Sequence, residues 1–341
     1  ALRSDGSVIT WGSATYGGDS TGVAADINGT VNVVSISATD GAFAAIRSDG
    51  SVITWGDPLQ GGNSSTVSSS INGTINVTSI VATAEAFAAI RSDGSVVTWG
   101  DSGHGGDSAS VSTAINGTTP VISITASSGN TGSAFAALRD DGSVIAWGYS
   151  SAGGNTSSVS SQIDGTIDVI SIVPNGKAFA AIRSDGSVIT WGSSNGGGDS
   201  SSVSSELDGS IDVVSIAGTA GISNFAAFAA IRSDGSVITW GKPDYGGDSS
   251  SVSAELDGTI DVVSIAGTDR AFAAIRSDGS IVTWGESDNG GAISEEYNGF
   301  SDGSFLFASE ENFCSKDLVG NIFCWGNPNY SFDPQLTGRQ F

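Results

Sequence analysis

One motif of 14 residues, FAAIRSDGSVITWG at Phe43–Gly56, limits the folds open to this chain because it recurs along most of its length. Close copies lie at Phe87–Gly100, Phe135–Gly148, Phe179–Gly192, Phe228–Gly241 and Phe272–Gly285, with a truncated copy at Ala1–Gly12 and a diverged copy at Phe313–Gly326. Every copy holds one tryptophan at the same position: Trp11, Trp55, Trp99, Trp147, Trp191, Trp240, Trp284 and Trp325. Spacings of 41 to 49 residues between these tryptophans are typical of propeller blades or solenoid repeats. We therefore predict a single repeat domain over 1–341, with 327–341 as a C-terminal tail.

Each repeat is predicted to hold three short β-strands. Runs of four to seven β-prone residues are separated by Gly, Asp, Asn and Ser, and helical spacing is absent. In the repeat Gly246–Gly285, the first strand is Ile260–Ala266, the second carries FAAIR, and the third is Ser280–Trp284. The turn Ser277–Gly279 contains Asp-Gly, a strong hairpin signal because glycine adopts positive φ at little cost. The predicted fold class is all-β.

The two cysteines help to fix the register of this hairpin. If Ser-Asp-Gly forms a three-residue loop, then Ala273 faces Thr283 across the two strands. The equivalent positions in the diverged copy are Cys314 and Cys324, so both cysteines of the chain fall on one cross-strand pair. We predict a disulfide between them. Two buried free thiols are the alternative.

In this register, both faces of the hairpin are largely apolar. Phe, the second Ala, Arg, Ile and Trp of the motif share one face, while the first Ala, Ile, Val and Thr share the other. A strand pair with this composition is expected to be buried on both sides. Sheets stacked face to face around an axis, as propeller blades are, provide that environment.

The hairpin and the glycine-rich segment after it resemble the repeat of the RCC1-like β-propellers. The chain is also similar to the bacterial β-lactamase inhibitory propeller of that superfamily and to arrays in large repeat proteins of marine microbes and algae. The resemblance implies an RCC1-like β-propeller of seven to eight blade-like units that binds proteins through its loops. After Trp-Gly the family usually carries Gly-Gln-x-Gly, whereas this chain has segments such as Gly17–Asp19 and Gly246–Asp248. No family functional residue is matched.

The truncated first copy leaves the number of units open. Its hairpin carries Leu2, Val8, Ile9 and Trp11, which we do not expect to be left in water. We favour eight units, the first completed by further residues or by another chain. Seven units with an additional N-terminal segment are the alternative. Because the chain opens inside a motif and without Met, we expect processing or a longer polypeptide.

The charge balance bears on partners and location. Twelve Lys and Arg against 36 Asp and Glu give a net charge of −24, a field that repels nucleic acid and anionic membranes. No apolar run approaches the roughly 18 residues of a membrane-spanning helix, so no membrane insertion is expected. Seven Asn-x-Ser/Thr sequons are candidate glycosylation sites in a host that glycosylates asparagine: Asn28, Asn63, Asn72, Asn76, Asn116, Asn155 and Asn329.

No catalytic, cofactor-binding or metal-binding residue is predicted. The arginine of each repeat is expected to pair with an Asp of its own turn or of a neighbouring unit, such as Asp49 or Asp93, rather than to form an anion-binding ring. Repeated Asp in the GGDS and LDG segments could bind Ca²⁺, although Asx turns explain these residues without a metal. His104, the only histidine, is expected to be an exposed loop residue, which excludes nucleophilic triads and zinc sites. No Asp or Glu pair stands out from the repeat.

Two insertions interrupt the repeat before the FAA strand, at Thr125–Ala134 and Ala217–Ala227. In a propeller both loops lie on one rim, and two apolar residues of the second loop lack an expected core role. The candidate interface residues are Asn130, Ile222, Asn224 and Phe225. Neutral loop drift is the alternative.

The sequence favours a non-catalytic, extracellular or surface-associated structural module that binds a protein partner or itself. Two alternatives stay open: an intracellular RCC1-like regulator of a partner protein, and a carbohydrate-binding or enzymatic propeller with a central pocket.

Overall fold

The structure, a computed structural model, describes residues 1–129, 132–221, 225–293, 303–317 and 322–327. In this part, seven three-stranded antiparallel sheets follow one another along the chain, each with its strands in sequence order. The predicted all-β fold class, with blade-like units built on the repeated hairpin, is confirmed. The contacts divide the chain into two compact units, Ala1–Ser184 with Trp191–Ser193, and Asp185–Thr190 with Ser194–Phe341. The single domain over 1–341 stays a prediction.

The strands of the first four sheets are β1 (Val33–Ala38), β2 (Ala42–Arg47), β3 (Val52–Gly56), β4 (Val77–Ala82), β5 (Ala86–Arg91), β6 (Val96–Gly100), β7 (Val121–Ala126), β8 (Ala134–Arg139), β9 (Val144–Gly148), β10 (Val169–Pro174), β11 (Ala178–Arg183) and β12 (Val188–Gly192). Those of the last three are β13 (Val213–Gly218), β14 (Ala227–Arg232), β15 (Val237–Gly241), β16 (Val262–Gly267), β17 (Ala271–Arg276), β18 (Ile281–Gly285), β19 (Gly303–Ala308), β20 (Asn312–Asp317) and β21 (Ile322–Gly326).

Short helical turns occupy the polar connectors between sheets. They span Ala14–Gly18, Thr21–Val23, Pro58–Gln60, Ser65–Ser70, Ser102–His104, Ala109–Val111, Ser150–Ala152, Ser160–Gln162, Ser194–Gly196, Ser201–Val203, Pro243–Tyr245, Ser250–Glu255 and Ser287–Asn289. Among the described residues, none of the helices has the length and apolar character needed to span a bilayer.

The hairpin register agrees with the prediction. Ala273 faces Thr283, and Cys314 faces Cys324 in the last sheet, where a disulfide joins the two. The predicted disulfide is therefore confirmed. The first strand of the sixth repeat lies at Val262–Gly267 rather than Ile260–Ala266, because its ladder with β17 begins only at Val262.

Both faces of the hairpins are buried, as the motif predicts. In the first unit, Ala44 and Val52 of the first sheet pack with Phe87 and Trp99 of the second. In the second unit, β14 and β15 of the fifth sheet pack in the same way against Phe272 and its neighbours in the sixth. Each buried Leu-, Ile- or Phe-sized side chain stabilises the fold by about 1.5–3 kcal/mol, so these repeated contacts form the core.

A glycine from each connector completes the contact with the next sheet. Gly61 has a φ of +98°, and a Cβ atom at this position would lie 2.6 Å from the Phe87 ring. The Gly61 carbonyl oxygen accepts a hydrogen bond of 3.1 Å from Trp99 Nε1, and Phe87 stacks on Trp99 with ring centroids 5.2 Å apart. The same indole-to-glycine hydrogen bond is made by Trp55, Trp147, Trp191, Trp240, Trp284 and Trp325.

The truncated first copy does not form a three-stranded sheet. Its described pairing consists of the isolated bridges Leu2↔Val8 and Ser7↔Asn28. Leu2, Ile9 and Trp11 are exposed, Trp11 by 72%, so the expectation that they are buried is wrong, whereas Val8 is half-buried and packs against the core. The described part of the chain thus forms seven three-stranded units with an N-terminal segment, the alternative to eight.

Candidate functional site

The loop before each second strand and the connector after each Trp-Gly lie side by side at one end of the sheet. In the second sheet, the backbone N–H of Asp101 donates to the carbonyl oxygen of Glu85 at 2.9 Å, and the N–H of His104 donates to that of Asp101 at 3.2 Å. The same pairing joins Tyr149 to Ser133 and Glu286 to Arg270. We call this end of the sheets the connector rim. It is defined by three positions in each repeat: the residue before the AFAA strand, the residue after Trp-Gly, and the residue before Gly-Gly.

The three rim positions differ from repeat to repeat, whereas the strand AFAAIR recurs almost unchanged. In chain order they hold Gly41, Asp57 and Gln60; Glu85, Asp101 and His104; Ser133, Tyr149 and Ala152; Lys177, Ser193 and Gly196; Ala226, Lys242 and Tyr245; and Arg270, Glu286 and Asn289. Both insertions lie, in sequence, between a first and a second strand and end next to the position before AFAA. The fold constrains the strands, and the rim is where the repeats are chemically distinct.

The second sheet brings three potential metal ligands together. Glu85, Asp101 and His104 each offer one ligand atom, and these atoms all lie within 4.8 Å of one another. His104 Nε2 lies 3.8 Å from Glu85 Oε2. The expectation that His104 is exposed is therefore wrong, because His104 is buried. Glu85 and Asp101 form a carboxylate pair that did not stand out from the repeat in the sequence. The sequence reasoning missed them because it did not extend the hairpin register beyond the strands, where Glu85 and Asp101 become neighbours.

The burial of His104 follows from its place in the connector. The next residue, Gly105, must reach the ring of Phe135 in the third sheet, which draws His104 under the loop that precedes β8. Ser133 from that loop lies 3.4 Å from His104 Nδ1. The carbonyl oxygen of His104 also accepts a hydrogen bond of 2.9 Å from Thr83 Oγ1.

Ser133, His104 and Glu85 follow the order of a nucleophile, a base and an acid, but the set does not present a nucleophile. Ser133 is completely buried, and its hydroxyl donates to the carbonyl oxygen of Gly129 at 3.1 Å. A triad needs its hydroxyl at the surface of a substrate pocket. This arrangement can hold a cation through its imidazole and carboxylates, and it cannot perform acyl transfer.

In the sixth sheet, the equivalent positions form an ion pair. Arg270 donates to Glu286 Oε2 at 2.8 Å, and this hydrogen bond raises the pKa of Arg270. The guanidinium also lies 5.1 Å from the centre of the Tyr245 ring, within the range of a cation–π contact. The guanidinium of Arg270 and the carboxylate of Glu286 therefore neutralise each other at this position of the rim.

The second insertion carries the candidate interface residue Phe225. Its ring is half-buried and lies 5.9 Å from the Tyr245 ring, with Lys242 Nζ 5.1 Å from its centre. The expectation that Phe225 lacks a core role is wrong. Its ring packs against the core cluster that contains Tyr245, the residue before the Gly-Gly pair. Asn130, Ile222 and Asn224 lie outside the described residues.

The first insertion is held by a buried lysine. Lys177 Nζ donates to the Gly132 carbonyl oxygen at 2.6 Å and lies 5.6 Å from the centre of the Tyr149 ring. Lys177 is 3% exposed, and burial lowers the pKa of its ammonium group. The buried ammonium group therefore holds Gly132, near the C-terminal end of the first insertion.

The repeated Arg and Asp residues have the architectural roles that were predicted. Arg47 lies 3.7 Å from Asp49 and Arg91 lies 3.9 Å from Asp93. Their Nε atoms donate to the serine of the same turn. Hydrogen bonds from that serine lower the pKa of the turn aspartate. No anion-binding role is needed to explain these arginines.

Six of the Gly-Gly pairs are followed by an Asp or Asn that forms an Asx turn, whereas Ala292 follows the pair Gly290-Gly291. Asp107 Oδ1, for example, accepts from the Ala109 N–H at 2.8 Å, and Asn63 makes the same bond with Ser65. Six of the seven sequon asparagines are exposed: Asn28, Asn63, Asn72, Asn76, Asn116 and Asn155. The seventh, Asn329, lies outside the described residues, and glycosylation stays a prediction.

No protein-family model and no curated protein sequence matches this chain. Among solved structures, the ectodomain of the receptor kinase CR4 from Physcomitrella patens matches with a TM-score of 0.44 and 15% identity, over 84% of this chain and 70% of that one. The CRINKLY WD40 ectodomain of the Arabidopsis thaliana receptor kinase ACR4 matches with a TM-score of 0.41 and 17% identity, over 84% and 90%. The structure of Kap60 bound to yeast RCC1 (Prp20) gives 0.42 and 14%, over 86% and 70%.

Proposed function

We propose that this chain is a non-catalytic protein-interaction module that binds its partner through the connector rim. The observation that carries the proposal is the distribution of differences among the repeats. Strand positions recur almost unchanged, whereas the three rim positions and both insertions vary. Loops held by a rigid scaffold are where proteins place their binding residues. Within each compact unit, rim side chains that differ from sheet to sheet suit recognition of one particular surface.

Exposed apolar side chains on the connectors support this proposal. In the first unit, Leu59 is 79% exposed, Tyr16 is 55% exposed and Tyr149 is 41% exposed. All three lie between a Trp-Gly and a Gly-Gly pair: Tyr16 and Tyr149 occupy rim positions, and Leu59 lies directly beside one, Gln60. Tyrosine is enriched among interface residues that contribute most to binding. A second copy of this chain is the first partner to test.

The disulfide supports a location outside the cell or at its surface. Cys314 and Cys324 are joined, and disulfides persist in oxidising compartments. The net charge of −24 favours solubility there and disfavours binding to nucleic acid or to anionic membranes.

The experiment compares two double variants, each of which replaces two exposed apolar side chains with serine. Leu59→Ser with Tyr16→Ser removes apolar groups from the rim, whereas Val34→Ser with Ile122→Ser removes similarly exposed groups from the first strands β1 and β7. All four side chains are exposed, so both variants should melt close to the wild type. Sedimentation equilibrium should show weaker self-association for the rim variant alone, by about 30-fold if these residues contribute about 2 kcal/mol.

Two results would contradict the proposal. If both double variants weaken association equally, general surface apolarity explains the binding and the rim does not. A chain that stays monomeric at every concentration excludes self-association. Wild-type and rim-variant chains then serve as paired baits for extracellular partners, and equal recovery of each partner by both baits would rule out the rim as the binding surface.

A further inference from the structure

We propose that Glu85, Asp101 and His104 form a binding site for one divalent transition-metal cation, with Zn²⁺ as the best-fitting ion. The three side chains supply one imidazole nitrogen and two carboxylate oxygens within 4.8 Å of one another. One nitrogen and two oxygens are a ligand set that Zn²⁺ accepts, with water in the remaining position. Metal–ligand bonds near 2.0–2.2 Å place tetrahedral ligand atoms about 3.4 Å apart. Side-chain rotation is enough to close the difference.

The sixth sheet shows how a carboxylate at this part of the rim is neutralised by a positive charge. At the same two positions, Arg270 and Glu286 form an ion pair of 2.8 Å. In the second sheet both positions are acidic, Glu85 and Asp101, and neither forms a salt bridge with Lys or Arg in the described part of the chain. Two neighbouring carboxylates repel each other and favour a cation between them. A bound metal ion would supply the charge that Arg270 supplies four repeats later.

The hydrogen bonds of His104 orient its free nitrogen towards the carboxylates. The Ser133 oxygen lies 3.4 Å from His104 Nδ1, and its hydroxyl reaches the Gly129 carbonyl oxygen at 3.1 Å. In the tautomer that carries the proton on Nδ1, His104 donates to the Ser133 oxygen. This tautomer leaves Nε2 unprotonated, 3.8 Å from Glu85 Oε2. An unprotonated nitrogen and a carboxylate repel each other unless a cation lies between them. A hydrogen bond that fixes the other ring nitrogen is the usual support of a metal-binding histidine.

The site is also open to solvent on one side. His104 is buried, whereas Glu85 and Asp101 are only half-buried. An ion can therefore enter between the carboxylates and meet the imidazole at the bottom. Once bound, it would tie the loop before β5 to the connector after β6, and so fix the rim of the second sheet.

The test is titration of the full chain with Zn²⁺ by calorimetry, in about 0.15 M salt, where the Debye length of about 8 Å screens the general acidic field. The wild type should bind one Zn²⁺ per chain at this site, and Zn²⁺ should raise its melting temperature. His104→Gln introduces the residue found at the equivalent Gln60, and Asp101→Asn introduces the residue found at Asn327. Each change should weaken Zn²⁺ binding at least about tenfold.

Asp107→Asn is the matched control. It removes the same charge six residues from Asp101, and Asn63 and Asn155 occupy this position in other repeats. Titration with Co²⁺ adds a spectroscopic signature, since its visible absorption should change when His104→Gln removes the nitrogen ligand. Three results would overturn the proposal: no saturable Zn²⁺ binding, wild-type affinity in both His104→Gln and Asp101→Asn, or an equal loss in Asp107→Asn.

Discussion

Trp55 Nε1 donates a hydrogen bond of 3.1 Å to the carbonyl oxygen of Gly17, 38 residues earlier in the chain. Phe43 stacks on the same indole, with ring centroids 5.3 Å apart, and Gly17 packs directly on the Phe43 ring. The glycine of one connector is therefore part of the core of the following sheet. Because stability in such an array comes largely from contacts between neighbours, this contact is where the repeats are coupled.

Trp55 and Trp11 occupy the same motif position with different surroundings, which predicts different effects of truncation. Trp55 is 5% exposed and Trp11 is 72% exposed. Trp55→Ala should lower the free energy of unfolding by about 3–5 kcal/mol, because it leaves a cavity in the core. Trp11→Ala should change it by no more than about 0.5 kcal/mol. Urea unfolding followed by circular dichroism measures both, and similar losses in the two variants would show that Trp11 is buried in solution.

The glycine that contacts the stacked phenylalanine should not tolerate a methyl group. Gly61→Ala imposes a side chain at a φ of +98° and places its Cβ 2.6 Å from the Phe87 ring. The left-handed backbone costs about 1–2 kcal/mol, and overpacking adds about 1–3 kcal/mol. Gly22→Ala is the control, because its Cβ would meet no atom within 4 Å. If the two variants melt at the same temperature, this packing does not limit stability.

Restoring the repeat sequence at the disulfide gives a third test. Cys314→Ala with Cys324→Thr installs the residues of the preceding repeat, Ala273 and Thr283. The double variant should lose about 2–3 kcal/mol, because the unfolded chain is no longer cross-linked. In the wild type, a thiol reagent should label neither cysteine of the denatured, unreduced chain and both after reduction. Full labelling without reduction would refute the disulfide and would remove the support for an extracellular location.

The hairpins could be predicted because each depends on interactions close in sequence. Asp-Gly fixes the turn, two-residue alternation fixes the faces, and the cysteine pair fixes the register. The pairing of Cys314 with Cys324 follows directly from these rules. The role of Gly61 could not be predicted, because its contact with Phe87 joins consecutive repeats and leaves no periodic signal within one repeat.

The rim was harder to predict for a related reason. Glu85, Asp101 and His104 lie up to 19 residues apart in sequence, and none belongs to an apolar pattern. The position of His104 is held by Ala152 and Tyr245 in other repeats, which are also buried. The same position holds the exposed Tyr16 and the half-buried Gln60, so the residue types at this position do not predict a buried histidine. The contact of Phe225 with Tyr245 had no sequence signal either, because the second insertion has no counterpart in a neighbouring repeat.

The last prediction concerns the dependence of stability on pH at Asp269. Burial, followed by the charges of Glu310 and Glu311, raises the pKa of the Asp269 carboxyl from 3.8 to about 6, against an opposing effect of Arg270. The folded state therefore holds this proton more tightly than the unfolded state between about pH 4 and pH 6. The Asp269 carboxyl therefore stabilises the fold below this range, and the stabilisation is lost as the pH rises through about 6. At pH 7, the buried charge makes folding less favourable.

Asp269→Asn removes that charge and should raise the melting temperature at pH 7, with a smaller effect at pH 4. Aspartates with lowered pKa values, such as Asp49 and Asp93, give the opposite slope. The informative quantity is therefore the difference in melting temperature between variant and wild type at each pH. Asp40→Asn is the matched control, since the Asp40 N–H pairs with Ala84 where that of Asp269 pairs with Glu310. If the Asp40 and Asp269 variants shift the melting temperature equally at both pH values, the acidic neighbours of Asp269 do not perturb it, and the predicted dependence is wrong.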